Sequence, residues 1–371
     1  MRDLRLPDAI IVGGGVLGCA CALRLAESGL TVTLVERDAI ASHASGNAYG
    51  GLYPTFGPGI PGPSLPVAIR SVELHRELDP PLQDETGIDI GLREAPSIEL
   101  ALTPEDMIGL FDASVWWPSQ GFDFKMLDRQ HLLEIEPAIT PEAVGGVLHN
   151  SHYEVDSYRF TLALATAFER RGGRIRSGAV AGLEREGDRV GGVVLESGEV
   201  LQAGVVVIAS GPWAGQGEID GLPDLPIRPV KGEIIRLRYP GTDLSHRVVV
   251  GRSYVARKPG GLVWIGTTDE EAGFDEKPTS AARDEIFAGA LAIAPGLESA
   301  EIVEHTACLR PTSADGLPVV GPVADGAIVA NGAGSKGILL SHAIAEFVRE
   351  IVTGEEASVA MPAEYDVGRF L

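Results

Sequence analysis

The first apolar run of the chain is Ala9-Ile10-Ile11-Val12. It is followed by Gly13-Gly14-Gly15-Val16-Leu17-Gly18 and then by helix formers from Cys19 to Ser28 that stop at Gly29. Unbroken apolar character over so short a span is the pattern of a parallel strand buried on both faces. Thr31-Val32-Thr33-Leu34-Val35 then alternates as a second strand and delivers Glu36 to its carboxyl end. Strand, glycine-rich turn, helix, strand and terminal acid, in that order, read as a dinucleotide-binding unit and not as a bare glycine turn. Gly13 permits the tight turn, Gly15 lets a pyrophosphate reach the backbone, and Gly18 lets helix and strand pack closely. The helix N-terminus offers N–H groups and partial positive charge to phosphates. Glu36 stands where an acid accepts hydrogen bonds from a ribose hydroxyl.

Beyond this unit the periodicities change repeatedly. The small, polar stretch from Ala41 to Pro54 shows little pattern; directly after the nucleotide unit, it reads as a second cofactor-contacting segment. Phe56 to Pro66 is expected to be a loop, and Val67 to Leu78 a helix that ends before Pro80-Pro81. Short strands are expected at Ile88-Asp89-Ile90 and from Ser97 to Leu102. A helix starts at Thr103-Pro104-Glu105-Asp106, and another short one lies before Pro137. Trp116-Trp117 reads as a structural pair in preference to a roof over a ligand. A capped helix runs from Asp156 to Arg170-Arg171 and stops at Gly172-Gly173. A meander follows (179–184, 190–195, 199–201), then the apolar strand Val205-Val206-Val207-Ile208, which ends in Ala209-Ser210-Gly211-Pro212-Trp213. From Pro226 to Thr268 the pattern is that of antiparallel strands (231–238, 248–250, 253–257, 262–266), with a helix from Ser280 to Ala294 after them. A strand at 327–330 then meets a second glycine-rich turn, Asn331 to Gly337. That turn opens a helix, Ile338 to Val352, with Leu340, Ile344, Phe347 and Ile351 along one face.

Composition narrows the function classes. With 371 residues the chain has room for two domains, and a net charge of −22 repels nucleic-acid backbones and anionic lipid surfaces. No apolar run approaches a membrane span, no secretory signal is expected, and 3 cysteines make no disulfide framework, so a cytoplasmic protein with reduced thiols is expected. His149-x-x-His152 is the close histidine pair of the sequence. It has no evident third ligand, so no metal site is expected.

Several motifs together resemble one family. They are the first glycine turn with Glu36-Arg37, Ala44-Ser45-Gly46-Asn47, Ala209 to Trp213, Val230-Lys231-Gly232-Glu233, Leu309-Arg310-Pro311 with Asp315 to Pro318, and Gly334 to Leu340. In order, they resemble the FAD-dependent D-amino acid oxidase superfamily, glycine and sarcosine oxidases in particular, over essentially the whole chain. The turn Ala333-Gly334-Ser335-Lys336 and the Ala-Ser-Gly-Asn run look more like a tRNA-modifying FAD oxidase domain. The resemblance implies a mixed α/β (α+β) fold. A Rossmann-type FAD-binding domain (1–90, 152–222, 308–371) would be interwoven with a substrate domain built on an antiparallel sheet (91–151, 223–307).

It further implies a cytoplasmic flavoprotein that oxidises a small amino acid or secondary amine. Dioxygen would be the acceptor and hydrogen peroxide a product, and a homo-oligomer is an open option. A dehydrogenase passing electrons to a quinone or carrier, a tRNA-modifying oxidase, and a non-catalytic FAD-binding subunit are the alternatives. The carried-over catalytic residues are Arg310, which would pair with the substrate carboxylate, Tyr254 on a substrate-domain strand, and Lys336. A guanidinium fork suits a carboxylate on physical grounds as well. The cofactor-binding set is Gly13, Gly15, Val16, Leu17, Gly18, Glu36, Arg37, Ser45, Gly46, Asn47, Val180, Ser210, Gly211, Trp213, Arg310, Gly334, Ser335, Lys336, Gly337 and Ile338. Non-covalent FAD is expected; in sarcosine oxidase a cysteine two residues before an active-site residue carries the flavin covalently, which leaves Cys308 as the alternative.

Overall fold

The computed structural model describes residues 6–371 apart from residue 216. The chain forms two compact units, each drawn from separate stretches. One takes in the chain up to Leu92, Val155–Val230 and Leu309–Leu371; the other takes in Arg93–Glu154 and Lys231–Cys308.

The first unit is built on a parallel sheet. Its strands are β1 (Ala9–Val12), β2 (Val32–Glu36), β3 (Arg174–Ser177), β4 (Val205–Ile208), β5 (Val319–Ala324) and β6 (Ala327–Asn331). They lie in the order β5-β6-β4-β1-β2-β3, with β5 antiparallel to β6 and the other pairings parallel. Central β1 is buried along its whole length, which accounts for its unalternating apolar run. In register, Ala9 pairs with Val32 and Val205, and Val12 pairs with Val35 and Ile208. The helices are α1 (Val16–Glu27), α2 (Ser64–Thr86), α3 (Ser157–Arg170) and α4 (Gly337–Thr353). α1 packs against both α3 and α4, and α2 packs against α4. Asp156 caps α3 by accepting from the Arg159 N–H. The expected meander is a three-stranded antiparallel sheet at Val180–Glu186, Arg189–Leu195 and Val200–Gln202.

Two expectations fail here. α2 begins inside the segment read as a loop and continues through Pro80 and Pro81 to Thr86, with Gly87 closing it in the left-handed region. The prolines deprive the Arg76 and Glu77 carbonyls of their usual donors, yet all four residues are exposed, so water can serve those carbonyls. Meanwhile His75, Asp79, Leu82 and Thr86 continue an inward face at helical spacing, and their burial outweighs the break. Ile88-Asp89-Ile90 is not a strand. Ile90 is buried as a connector, its N–H on Gln83 Oε1 at 3.2 Å and its carbonyl accepting from Asp156 N at 2.8 Å.

The second unit holds most of an eight-stranded, largely antiparallel sheet. In spatial order its strands are Glu301–Ser313, Ile227–Arg238, Val263–Gly266, Ser253–Arg257, Arg247–Val250, Ser97–Ala101, Gly145–His149 and Phe124–Asp128. Helices Pro104–Ser114, Arg129–Ile135 and Ser280–Ile293 complete it. Thr103 and Asp106 form a reciprocal capping box. The long strand Glu301–Ser313 escapes a sequence reading because it lies at a sheet edge, where Glu301 to Glu304 are exposed and no alternation is needed. Trp117 is buried against Phe124 (5.1 Å) and His149 (4.6 Å), a structural role. Lys231 and Glu233 of the Val-Lys-Gly-Glu motif form a buried ion pair at 3.0 Å.

Candidate functional site

The first glycine turn is shaped by a contact that excludes side chains. A Cβ on Gly18 would lie 1.9 Å from the Gly13 carbonyl oxygen, so strand β1 and helix α1 meet there backbone to backbone. Gly13 has φ +109, a conformation that glycine adopts without strain. The Gly13 N–H donates to Val35 O (2.9 Å) and the Gly14 N–H to Glu36 Oε2 (2.5 Å). Glu36 also accepts from Asp38 N at 2.7 Å, so its carboxylate is held at the carboxyl end of β2 beside the turn. Helix α1 begins at Val16 with no side-chain bond from its Gly15 cap. Ser45 supplies a partner instead, its Oγ accepting from Val16 N at 2.9 Å. Leu17 is buried, and Asn47 ties the Ala44–Asn47 helical turn to the His43 carbonyl.

Other expected residues gather around this turn within the same unit. A Cβ on Gly13 would lie 3.0 Å from the Cα of Ser210, which places the Ser210-Gly211 turn at the end of β4 beside the first one. The Arg37 guanidinium sits 4.4 Å over the Trp213 ring, and His43 packs on the same indole at 4.8 Å. Val180 packs against the buried cluster that includes Val12 and Val35. A Cβ on Gly337 would stand 3.9 Å from Val16 Cγ1, so the second glycine turn meets the N-terminus of α1 although some 320 residues separate them in sequence.

That second turn, Gly334–Lys336, leads directly into α4. Ser335 is exposed and Ile338 is buried. Lys336 Nζ donates to Tyr53 O at 3.1 Å and lies 4.3 Å from the centre of the Phe56 ring. Tyr53, from the stretch read as a second cofactor-contacting segment, and Phe56, from the expected loop, therefore hold the lysine from one side. Arg310 is half-buried on the strand Glu301–Ser313, and Cys308 is buried two residues before it. Tyr254, in the second unit, is buried; it pairs in register with Val249 and Gly266, and the Arg247 guanidinium lies 5.0 Å from its ring centre. Burial keeps the thiols of Cys19 and Cys21 protonated, the latter pushed up to about 12.

Comparison with known proteins decides the family. A family described as FAD dependent oxidoreductase matches residues 8–351. The chain belongs to that family. This oxidoreductase is 33% identical over 356 residues to the glycine oxidase of Geobacillus kaustophilus, covering 95% of the chain and 94% of that protein. The crystal structure of glycine oxidase from the same organism superposes with a TM-score of 0.91 at 32% identity, over 98% of this chain and 99% of that one. The hydrogen cyanide synthase subunit HcnC of Pseudomonas aeruginosa is 27% identical, with 86% of each chain covered. The protein is therefore an FAD-dependent amine or amino acid oxidoreductase of glycine oxidase type, with the mixed α/β fold of that group.

The residues present suit the cofactor. The Gly13–Gly18 approach packs the start of α1 against the end of β1 backbone to backbone, as a pyrophosphate-binding turn requires, and Glu36 is held as an acceptor at the end of β2. Reading the sequence missed one group of ionisable side chains in this unit: His75, Asp79 and His342 have their ligand-type atoms within 4.8 Å of one another. The two histidines lie far apart along the chain, and each alone sits on an otherwise ordinary helix face.

Proposed function

We propose that the oxidoreductase converts a small amino acid or secondary amine, of the glycine, sarcosine or D-amino acid kind, to an imine that water hydrolyses to a 2-oxo acid and ammonia or an amine. When bound, FAD supplies the acceptor for the hydride leaving the substrate carbon, and dioxygen then removes both electrons as hydrogen peroxide. The observation that carries this reading is the convergence, within one unit, of the two glycine-rich turns and Glu36, together with near-full-length similarity to glycine oxidases.

In this reading Gly13, Gly15, Val16, Leu17 and Gly18 line the pyrophosphate, and Glu36 accepts from ribose. Arg37, Ser45, Gly46, Asn47, Val180, Ser210, Gly211 and Trp213 border the adenosine and pyrophosphate side. Gly334, Ser335, Lys336, Gly337 and Ile338 border the isoalloxazine. The N-terminus of α4 and the Lys336 ammonium favour negative charge near that edge. Arg310 holds the substrate carboxylate as a bidentate fork and so orients the reacting C–H, and Tyr254 contributes a polar tip on the substrate side. No general base is assigned, since orientation and polarisation suffice for this chemistry.

The test is anaerobic mixing of the yellow protein with glycine, sarcosine, proline and D-amino acids. Bleaching of the flavin by one of these, followed by peroxide formation on admitting air, is expected. Bleaching without peroxide, with rapid reduction of a quinone dye, would assign a carrier in place of dioxygen. No bleaching by any amine would sink the proposal.

A further inference from the structure

His75, Asp79 and His342 lie in the interior of the first unit, outside the chemistry above. His75 and Asp79 come from α2 and are fully buried; His342 comes from α4 and is 5% exposed. His75 Nδ1 lies 2.6 Å from Asp79 Oδ2, and its Nε2 lies 3.1 Å and 3.2 Å from the carbonyl oxygens of Ile338 and Leu339. His342 Nε2 lies 2.8 Å from the other Asp79 oxygen. Phe160 of α3 packs against both rings, at 5.0 Å and 5.5 Å.

All partners of the His75 nitrogens are oxygen acceptors. Two carbonyls cannot donate, so Nε2 carries a proton. Nδ1 shares a second proton with the Asp79 carboxylate, and the pair is neutral as a whole. Burial alone would strip the imidazolium. The Asp79 charge and the bonds to Asp79 and the two carbonyls outweigh it, so His75 is held above its ordinary value and Asp79 below its own. His342, by contrast, is lowered by burial and stays neutral.

A metal does not suit the geometry. Two ligand atoms on a tetrahedral zinc stand roughly 3.3 Å apart. Here the nitrogens sit 2.6 Å and 2.8 Å from the carboxylate oxygens, which is hydrogen-bond spacing. What the group does touch is the first turn of α4: the carbonyls of Ile338 and Leu339 take a charge-assisted donor in addition to the helix's own N–H groups.

We propose that His75 and Asp79 form a proton-sharing positioning pair that fixes the first turn of α4, and with it the Gly334–Ile338 segment at the cofactor. The inference rests on the assignment of that segment to the cofactor under Proposed function. The pair acts through the carbonyls it holds, whereas an ion pair that merely satisfied its own charges would have no such reach. Replacing both members by apolar residues of similar size removes both charges together and leaves the neutral His342 as the one side chain short of its former partner, and so separates the two roles.

The experiment compares the holoenzyme with His75→Leu, Asp79→Leu, the double variant His75→Leu/Asp79→Leu, and Gly337→Val. Apoprotein melting temperature, FAD release on dilution and the midpoint potential of bound flavin are measured for each. The single variants are expected to lower the melting temperature, and the double variant to recover much of that loss. FAD release from the double variant is nonetheless expected to stay faster by roughly tenfold, the loss of one charge-assisted hydrogen bond, with a shifted potential. A double variant that holds FAD and its potential like the parent would overturn the proposal. Gly337→Val with unchanged FAD release would instead overturn the cofactor assignment on which it rests. Should the variants not fold, nitrogen NMR of histidine-labelled parent protein decides. Both ring nitrogens of one histidine protonated over about pH 6 to 9 support the pair; a neutral His75, or stoichiometric zinc in the purified protein, overturns it.

Discussion

At the scale of single residues, Arg310 and Gly18 carry the sharpest consequences. Arg310→Ala should lower kcat/KM for carboxylated amines about a hundredfold, since a charged bidentate contact worth roughly 3 kcal/mol is lost. Amines without a carboxylate should lose far less, and steady-state kinetics on matched pairs of substrates checks this. Gly18→Val drives a side chain into the Gly13 carbonyl, so the purified variant should lack FAD absorbance or fail to fold. The placement of the first glycine turn and of Glu36 was legible because a local strand–turn–helix–strand pattern dictates it. The His75–Asp79–His342 group was not, because His342 meets Asp79 across 263 positions and no short pattern announces it. Nor does any spacing reveal that the Lys336 ammonium is shared between the Tyr53 carbonyl and the Phe56 ring.

Among the elements, those fixed by their own caps and periodicity follow the sequence closely. α3 starts after its Asp156 cap, and the helix Pro104–Ser114 starts after Thr103. Thr103→Ala should cost about 1 kcal/mol, read as a lower denaturant midpoint, with the effect confined to the second unit's stability. Elements decided by tertiary context departed from expectation. α2 runs through two prolines because its inward face continues past them. Pro80→Ala restores a donor to the Arg76 carbonyl and should raise the denaturant midpoint by a gain of up to about 1 kcal/mol, with no change in FAD binding. The edge strand Glu301–Ser313 was missed for the opposite reason: its first four residues face solvent and need no alternation.

For the whole molecule, acid sensitivity is the property most directly readable. Asp315 loses hydration on burial, which would raise its pKa, but Arg369 and the Leu317 N–H more than offset this and hold it below the ordinary 3.8. Asp8 is lowered by its bonds to Thr31. A carboxylate depressed in the folded state contributes stability above its unfolded pKa and loses it as pH falls through the folded value. Asp315→Asn should therefore be less stable than the parent at neutral pH, with the gap closing below about pH 4; urea midpoints across that range measure it. The net charge of −22 predicts weak binding of transfer RNA even at low salt, which a filter-binding titration would check. Among the described residues no helix is long and apolar enough to cross a membrane.

The interleaved path of the chain sets a timetable for biosynthesis. When the ribosome has made everything up to Cys308, the parallel sheet still lacks β5 and β6, and the flank of α1 that α4 will cover is bare. The second unit, whose stretches are by then all translated, is free to condense once they leave the ribosome, while the first unit still waits for Leu309–Leu371. A released fragment ending at Cys308 should accordingly resist a protease in Arg93–Glu154 and Lys231–Cys308 and be cut readily in α1, a pattern that extension through Leu371 reverses.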